Sequence, residues 1–181
     1  MTLLVRDEED ILRANIDFHL HRGVDEIVLM DNRSVDGTAD IAREYERRGV
    51  LRYLFQGDDD YAEAKWVTGM ARYAREEMGA DWVINSDADE FWWEASGSLK
   101  NALAAVGGDT VAITAERTNF VARPEDGRPF WRRMDVRHRT SLNALGDVLP
   151  GKVAHRGRPD ILVEQGNHGV RIGGSAVGAA P

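Results

Sequence analysis

No cysteine occurs among the 181 residues. That excludes a disulfide framework and any thiolate metal site. Prolines number only five, and no Pro-rich or low-complexity tract divides the chain, so a single domain is expected. No apolar run approaches the roughly 20 residues that cross a bilayer, so no transmembrane segment is expected. The opening "MTLLVRDEED" turns acidic before an apolar leader core forms. The expectation is a cytoplasmic protein, either free or peripheral at the inner face of a membrane. An excess of positive charge is missing as well. The formal net charge is −8, which argues against a nucleic-acid partner.

What is present suits a globular α/β protein. Hydrophobic residues make up 43% of the chain, enough for a substantial core. Charge is unevenly spread: residues 1–122 hold 13 Lys/Arg against 25 Asp/Glu, and residues 123–158 hold 9 against 4. An acidic front and a basic back suit a cation site beside a site for anions. Along the chain, "MTLLV", "EIVLM", "LRYLF" and "DWVIN" read as strands. Helices are expected from Asp10 to Gly23, from Ser34 or Asp36 to about Arg48, and from Tyr61 to Met78. This alternation implies a mostly parallel sheet with helices on both faces. Later come a short helix over Ser98–Val106, a strand in "TVAITAERTNFV", and a loop then a strand over Arg123–Arg139. Short strands are expected in "GKVAHR" and "DILVEQGNHGVRI", with a frayed tail beyond.

The densest chemistry lies in "VINSDADEFWW". Asp87, Asp89 and Glu90 follow an apolar strand within four positions. In extended backbone Asp87 and Asp89 share one face and Ala88 the other. Two carboxylates about 6 Å apart repel by roughly 3 kcal/mol at an effective dielectric near 20. A hard divalent cation, Mg²⁺ or Mn²⁺, relieves that repulsion and leaves positions open for substrate phosphates. The plainer alternative is a solvated acidic loop or a helix cap. Open α/β sheets bind ligands at the carboxyl ends of their strands, where Arg6, Asp31, Asp58 and the Asp87-Ala88-Asp89 run all fall.

Four segments together resemble GT-A-fold glycosyltransferases of the family-2-like type. They are "LLVRDEEDIL", "HLHRGVDEIVLMDNRSVDGT", "ADWVINSDADEFWW", and "GKVAHR" followed by "GNHGV". The resemblance implies one Rossmann-like GT-A domain over residues 1–170, with a nucleotide-binding half (1–93), an acceptor-side half (94–170) and a tail (171–181). It implies transfer of a sugar from a nucleoside diphosphate sugar to a carbohydrate or other hydroxyl acceptor, dependent on Mn²⁺ or Mg²⁺. By position, Asp31 is expected at the base or ribose and Asp87 at the ribose and the metal-bound diphosphate. Asp89 is expected on the metal, with His168 as a third ligand. Arg6, Lys65 and Lys152 are expected near the nucleotide. Asp7 stands where many relatives carry Asn. His19 matches a family position but reads equally as a core histidine, and Asp36 reads as a helix cap. Phe91, Trp92 and Trp93 are core or sugar-stacking residues. An inverting transfer needs a carboxylate base, for which Asp147 and Glu116 are the candidates. The competing readings are a sugar-nucleotide-binding protein without turnover, a Mg²⁺-binding signalling receiver domain phosphorylated at Asp58, and a phosphohydrolase with an Asp nucleophile.

Overall fold

The computed structural model describes residues 1–58, 62–178 and 180. The chain runs β1 (Thr2–Val5), α1 (Leu12–His21), β2 (Ile27–Asp31), α2 (Thr38–Arg47), β3 (Leu51–Phe55), α3 (Glu63–Glu76), β4 (Trp82–Asp87), α4 (Leu99–Ala104) and β5 (Ala112–Ala115). It continues through α5 (Phe130–Arg133), β6 (Lys152–Arg156), β7 (Ile161–Val163), a 3-10 turn (Gln165–Asn167), β8 (Val170–Ile172) and β9 (Ser175–Ala176).

Alternation along the strands decides which helix each face supports. Ile27 and Leu29 of β2, Leu3 and Val5 of β1 and Ile84 of β4 pack against Leu12 and Ile16 of α1 and Ala42 and Tyr45 of α2. Val28 and Val83, one step out of phase, meet Val67, Met70, Ala71 and Ala74 of α3 on the opposite face. Two alanines on α3 let that helix lie close to the sheet.

The main sheet has the order β3-β2-β1-β4-β6-β5. The first four strands are mutually parallel, and β6 runs antiparallel to both β4 and β5. The mostly parallel, helix-flanked sheet expected from the sequence is therefore present. Leaving β1, the chain fills one side with β2 and β3, then returns to place β4 on the other side. The carboxyl ends of β1 and β4 thus form a topological switch point, the usual ligand crevice of open α/β sheets. Because β6 is reversed, its first residue lies on that same edge. A second sheet, β7-β8-β9, is antiparallel and docks on α3. There the Val163 N–H donates to Thr68 Oγ1 at 2.9 Å and Arg72 Nε donates to the Ile161 carbonyl at 3.0 Å.

Several expected elements change. Tyr61, the expected start of the third helix, lies outside the described residues, and α3 begins at Glu63. The strand expected in "TVAITAERTNFV" shrinks to the four residues of β5. The strand expected before Arg139 is absent. A single turn of helix and an isolated Phe120–Arg137 bridge take its place, with the pairing limited to the Val121 N–H on the Val136 carbonyl at 2.8 Å and the His138 N–H on the Asn119 carbonyl at 2.9 Å. "DILVEQGNHGVRI" splits into two strands around a tight turn. The tail is not simply frayed: β9 pairs with β8, and Ala180 bridges Ile113 on the edge strand β5, whose outer backbone groups need partners.

Two histidines are buried inside this fold and held neutral. Burial pushes both His19 and His155 down to about 4, with backbone hydrogen bonds offsetting only part of it. A folded-state pKa below the unfolded value of about 6.5 gives stability that is present above pH 6.5 and lost as pH falls toward 4. Each histidine is expected to contribute on the order of 3 kcal/mol to this acid sensitivity. His155 Nε2 has no partner among the described residues, while Nδ1 donates to the Arg156 carbonyl at 2.8 Å, so His155→Leu should cost about 1 kcal/mol at pH 7 and flatten the acid slope. Urea unfolding at several pH values between 7 and 4 measures this. An unchanged slope in the variant would assign the sensitivity to another group.

Candidate functional site

The site begins with a register. Ile84 of β4 pairs with Ala154 of β6, and Ala115 of β5 pairs with Lys152. This puts Lys152 beside the end of β4. Its Nζ donates to Asp87 Oδ2 at 2.7 Å and lies 3.0 Å from Glu90 Oε1. The Lys152 side chain is only 7% exposed, against 15% for Glu90 and 41% for Asp87. Burial alone would lower the Lys152 pKa. The hydrogen bonds and charges of Asp87 and Glu90 outweigh it, so the ammonium is held above its ordinary value. Glu90 is pushed up, first by burial and then by Asp87, with Lys152 partly offsetting both. Gly151 fits this junction because a Cβ there would sit 2.5 Å from the Ala115 carbonyl oxygen.

Two further residues complete the cluster. Asn167 is buried and takes the left-handed conformation (φ 60°), directly after Gly166 at φ 70°. Its Nδ2 donates to Asp87 Oδ1 at 3.2 Å. Glu63 at the start of α3 fixes this turn by accepting from the Gly166 N–H at 3.0 Å and from the Gln165 side chain. Arg117, just past β5, lies 3.8 Å from Glu90 Oε1. Asn167 Oδ1 and Arg117 Nε are buried and have no partner among the described residues. Unpaired buried polar atoms are rare in folded proteins, and both flank the Asp87–Glu90 pair.

The loop after β4 is anchored from beneath by α1. Asn15 Nδ2 donates to the carbonyls of Ala88 at 2.9 Å and Glu90 at 2.8 Å. The neutral His19 ring accepts the Trp92 N–H on Nε2 at 3.0 Å, which leaves Nδ1 as donor to the Asn15 carbonyl at 2.9 Å. His19 is therefore a core histidine, and it positions the acidic loop. Trp92 is buried as core, while Trp93 is 66% exposed. Phe91 packs edge-on to Phe18 and tilted against Phe130.

The loops after β1 and β2 tie to each other. Asp7 takes φ 55°, a conformation in which Asn and Asp are enriched. Asp7 Oδ1 accepts the Val35 N–H at 2.7 Å. Asp36 accepts the N–H groups of Thr38 at 2.9 Å and Glu9 at 3.1 Å, so it caps from one residue before the Gly37 N-cap. Asp31 ends β2 and is 1% exposed, with one oxygen accepting the Tyr53 hydroxyl at 2.8 Å and the other the Ser34 N–H at 2.9 Å. These two bonds shape the loop after β2.

Asp89 is exposed and makes no hydrogen bond or ion pair among the described residues. Nearby, Glu8 is pushed up first by burial and then by the charge of Asp89, with Asp10, Asp36 and Asp87 adding to it. This is a concentration of negative charge with hard oxygen donors, the donor type that Mg²⁺ and Mn²⁺ select. The expected trio of Asp87, Asp89 and His168 is not assembled, however. Among the described residues no three His, Asp or Glu side chains group closely enough to hold a metal ion. Asp87 is turned to Lys152 and Asn167, and His168 Nδ1 is bonded to the Gly151 carbonyl at 2.8 Å. The set therefore fits a cation held by one or two carboxylates and completed by a ligand's phosphates, the common Mg²⁺ mode, and not an all-protein cage.

The remaining expected residues lie further from this cluster of contacts. Arg6 is exposed at the end of β1, with Nε 3.9 Å from its neighbour Asp7. Lys65 is exposed on α3 and forms no ion pair among the described residues. Glu116 is exposed directly after β5, so it shares the edge with Lys152. Asp147 accepts from Asn143 Nδ2 at 3.2 Å inside an exposed turn. The sequence marks Glu90 as part of the acidic run without giving it a role, and Arg117 and Asn167 are not among the expected residues. Glu90 follows the acidic pair in "DADEF" and Asn167 sits next to His168 in "GNHGV", so both had a local signal; Arg117 had none.

With this geometry in place, comparison with known proteins adds the following. The family described as "Glycosyl transferase family 2" matches residues 3–155. No curated protein matches the chain. Among solved structures, the crystal structure of S. aureus TarS 1-349 superposes with a TM-score of 0.58 at 14% identity, over 86% of this chain and 46% of that one. The chain thus spans about half the length of that structure. A crystal structure of 4-diphosphocytidyl-2C-methyl-D-erythritol synthase matches at a TM-score of 0.42 and 14% identity, over 87% of this chain and 71% of that one. The likeness to TarS establishes the GT-A-like fold.

Proposed function

The chain belongs to glycosyl transferase family 2, and we propose that it moves a sugar from a nucleoside diphosphate donor to an acceptor hydroxyl with the help of Mg²⁺ or Mn²⁺. One juxtaposition carries this reading: the exposed Asp89 carboxylate stands at the switch-point end of β4, between Asp87 and Glu90, the two carboxylates that hold the nearly buried Lys152 ammonium. A donor diphosphate needs both signs of charge, a carboxylate to hold its cation and a fixed protein cation for its oxygens. When bound, the divalent cation supplies Lewis-acid neutralisation of charge on the leaving diphosphate.

The residues divide the work. Asp89 is the cation's protein ligand. Lys152 has three N–H donors, of which Asp87 and Glu90 engage two, leaving one for a phosphate oxygen. Asp87, oriented by Lys152 and Asn167, faces the ribose side. Asn15 and His19 hold the backbone of the acidic loop so that Asp89 does not drift. In an inverting transfer Glu116 is the preferred base, because Asp147 is engaged in its own turn. The other readings lose ground, since the strongest acid cluster ends β4 and the receiver and hydrolase patterns need theirs elsewhere.

Thermal melts with nucleoside diphosphates, with and without Mn²⁺, test the proposal. A ligand at 100 times its dissociation constant should stabilise by about 2.7 kcal/mol, raising the midpoint by roughly 5–10 °C for a chain of this size. The absence of any nucleotide-dependent shift in either condition would sink it.

A further inference from the structure

Residues 116–151 leave the sheet after β5 and return at β6. Apart from α5, this excursion holds only the isolated bridges Phe120–Arg137 and Leu142–Val148. Its root is the site itself, through Arg117 against Glu90 and Phe130 against Phe91. Beyond the root it presents apolar side chains to water. Leu145 is 87% exposed, Val148 70%, Trp131 59% and Phe120 52%. Asn143 Oδ1 accepts the N–H groups of Leu145 at 2.8 Å and Asp147 at 2.9 Å, so a tight turn holds Leu145 outward. Scattered exposed apolar residues are ordinary. Several within one segment mark an interaction surface.

Charge indicates the kind of partner. Four of the five acids of this segment are engaged, Glu125 with Arg133, Asp126 with Arg128, Asp135 with Arg123 and Asp147 with Asn143; the fifth, Glu116, lies at the root beside β5. Arg132, Arg137 and Arg139 are exposed and form no ion pair among the described residues. They stand in a chain of net charge −8. We propose that this excursion docks on a bilayer carrying anionic headgroups. Leu145 and Val148 enter the interfacial region, Trp131 sits at headgroup level, and the three arginines meet lipid phosphates. An acidic surface is repelled by such a bilayer, so the remainder of the molecule stays off it. The inference does not depend on the reaction proposed above.

Sedimentation of the whole chain with vesicles tests it. With three parts phosphatidylcholine to one part phosphatidylserine at low salt, the protein is expected in the pellet. With phosphatidylcholine alone it should stay in the supernatant. The triple variant Arg132→Gln, Arg137→Gln, Arg139→Gln should lose about fivefold in affinity per arginine, and Leu145→Ser roughly tenfold. Both variants should keep the wild-type melting temperature. The proposal is overturned if the wild type ignores anionic vesicles or if both variants pellet as well as the wild type. A dimer in light scattering that Leu145→Ser dissociates would also overturn it, by making a second copy of the chain the occupant.

Discussion

Asp89→Ala is expected to abolish the proposed sugar transfer and to leave the fold standing. Asp89 makes no bond among the described residues and is exposed, so its removal opens no cavity and orphans no partner. Relief of its repulsion with Glu8 should leave the metal-free protein as stable as the wild type or slightly more so, and Glu8 should titrate closer to its ordinary value. The effect on the reaction is of another size. In the proposed reaction, losing the carboxylate that would hold the cation forfeits several kcal/mol of charge stabilisation on the leaving diphosphate. A loss of about 4 kcal/mol corresponds to roughly a thousandfold fall in rate. Calorimetric titration with a nucleoside diphosphate, with and without Mn²⁺, separates binding from turnover. Should Asp89→Ala keep Mn²⁺-dependent binding at wild-type affinity, the cation site lies elsewhere.

The second large effect is on stability, at Lys152. Lys152→Met removes a nearly buried ammonium from between two carboxylates and leaves Asp87 and Glu90 facing each other. Breaking a fully buried pair costs about 3–5 kcal/mol. Asp87 is 41% exposed and partly screened by water, so a loss of about 2–3 kcal/mol is expected here. The pH dependence identifies the cause. Without Lys152, Glu90 is raised further above its unfolded value than it already is. A raised folded-state pKa gives stability that is fully present below the unfolded pKa and lost as pH rises through the folded one. The deficit of the variant relative to wild type should therefore be small near pH 4.5 and grow toward pH 8. Adding Glu90→Gln should recover part of it, a coupling that a double-mutant cycle by urea unfolding measures. An equal deficit at both pH values would mean that only packing was lost. Nucleotide affinity should fall in Lys152→Met whatever the pH, because the phosphate loses its fixed cation.

The elements of the first half follow from local rules that the sequence carries by itself. The continuous apolar run in "EIVLM" builds a strand buried on both faces, with Val28 toward one helix layer and Ile27 and Leu29 toward the other. Gly23 and Gly49 end α1 and α2 at φ 91° and 75°, which residues with a Cβ rarely adopt. Asp7 and Asp36 sit in turns for the same local reasons. The placement of Asp87 and Asp89 at a strand end needed nothing more than this. The pairing of Asp87 with Lys152, 65 residues apart, is another matter. It depends on β6 entering the sheet beside β4 in reverse, and "GKVAHR" reads the same in either direction of insertion. A parallel β6 would have carried Lys152 to the opposite edge. The choice between Asn167 and His168 was also tertiary. Two successive left-handed residues turn the backbone so that the asparagine amide reaches Asp87 while the imidazole bends back to Gly151. The bond of Asp31 with the Tyr53 hydroxyl is tertiary in the same way, since it forms only once β3 lies beside β2. Periodicity and turn chemistry act over a few residues and settle where an element lies. Which side chains meet is set by strand order, strand direction and the rotation of single loop residues, and those are decided when distant segments compete for the same edge of the sheet.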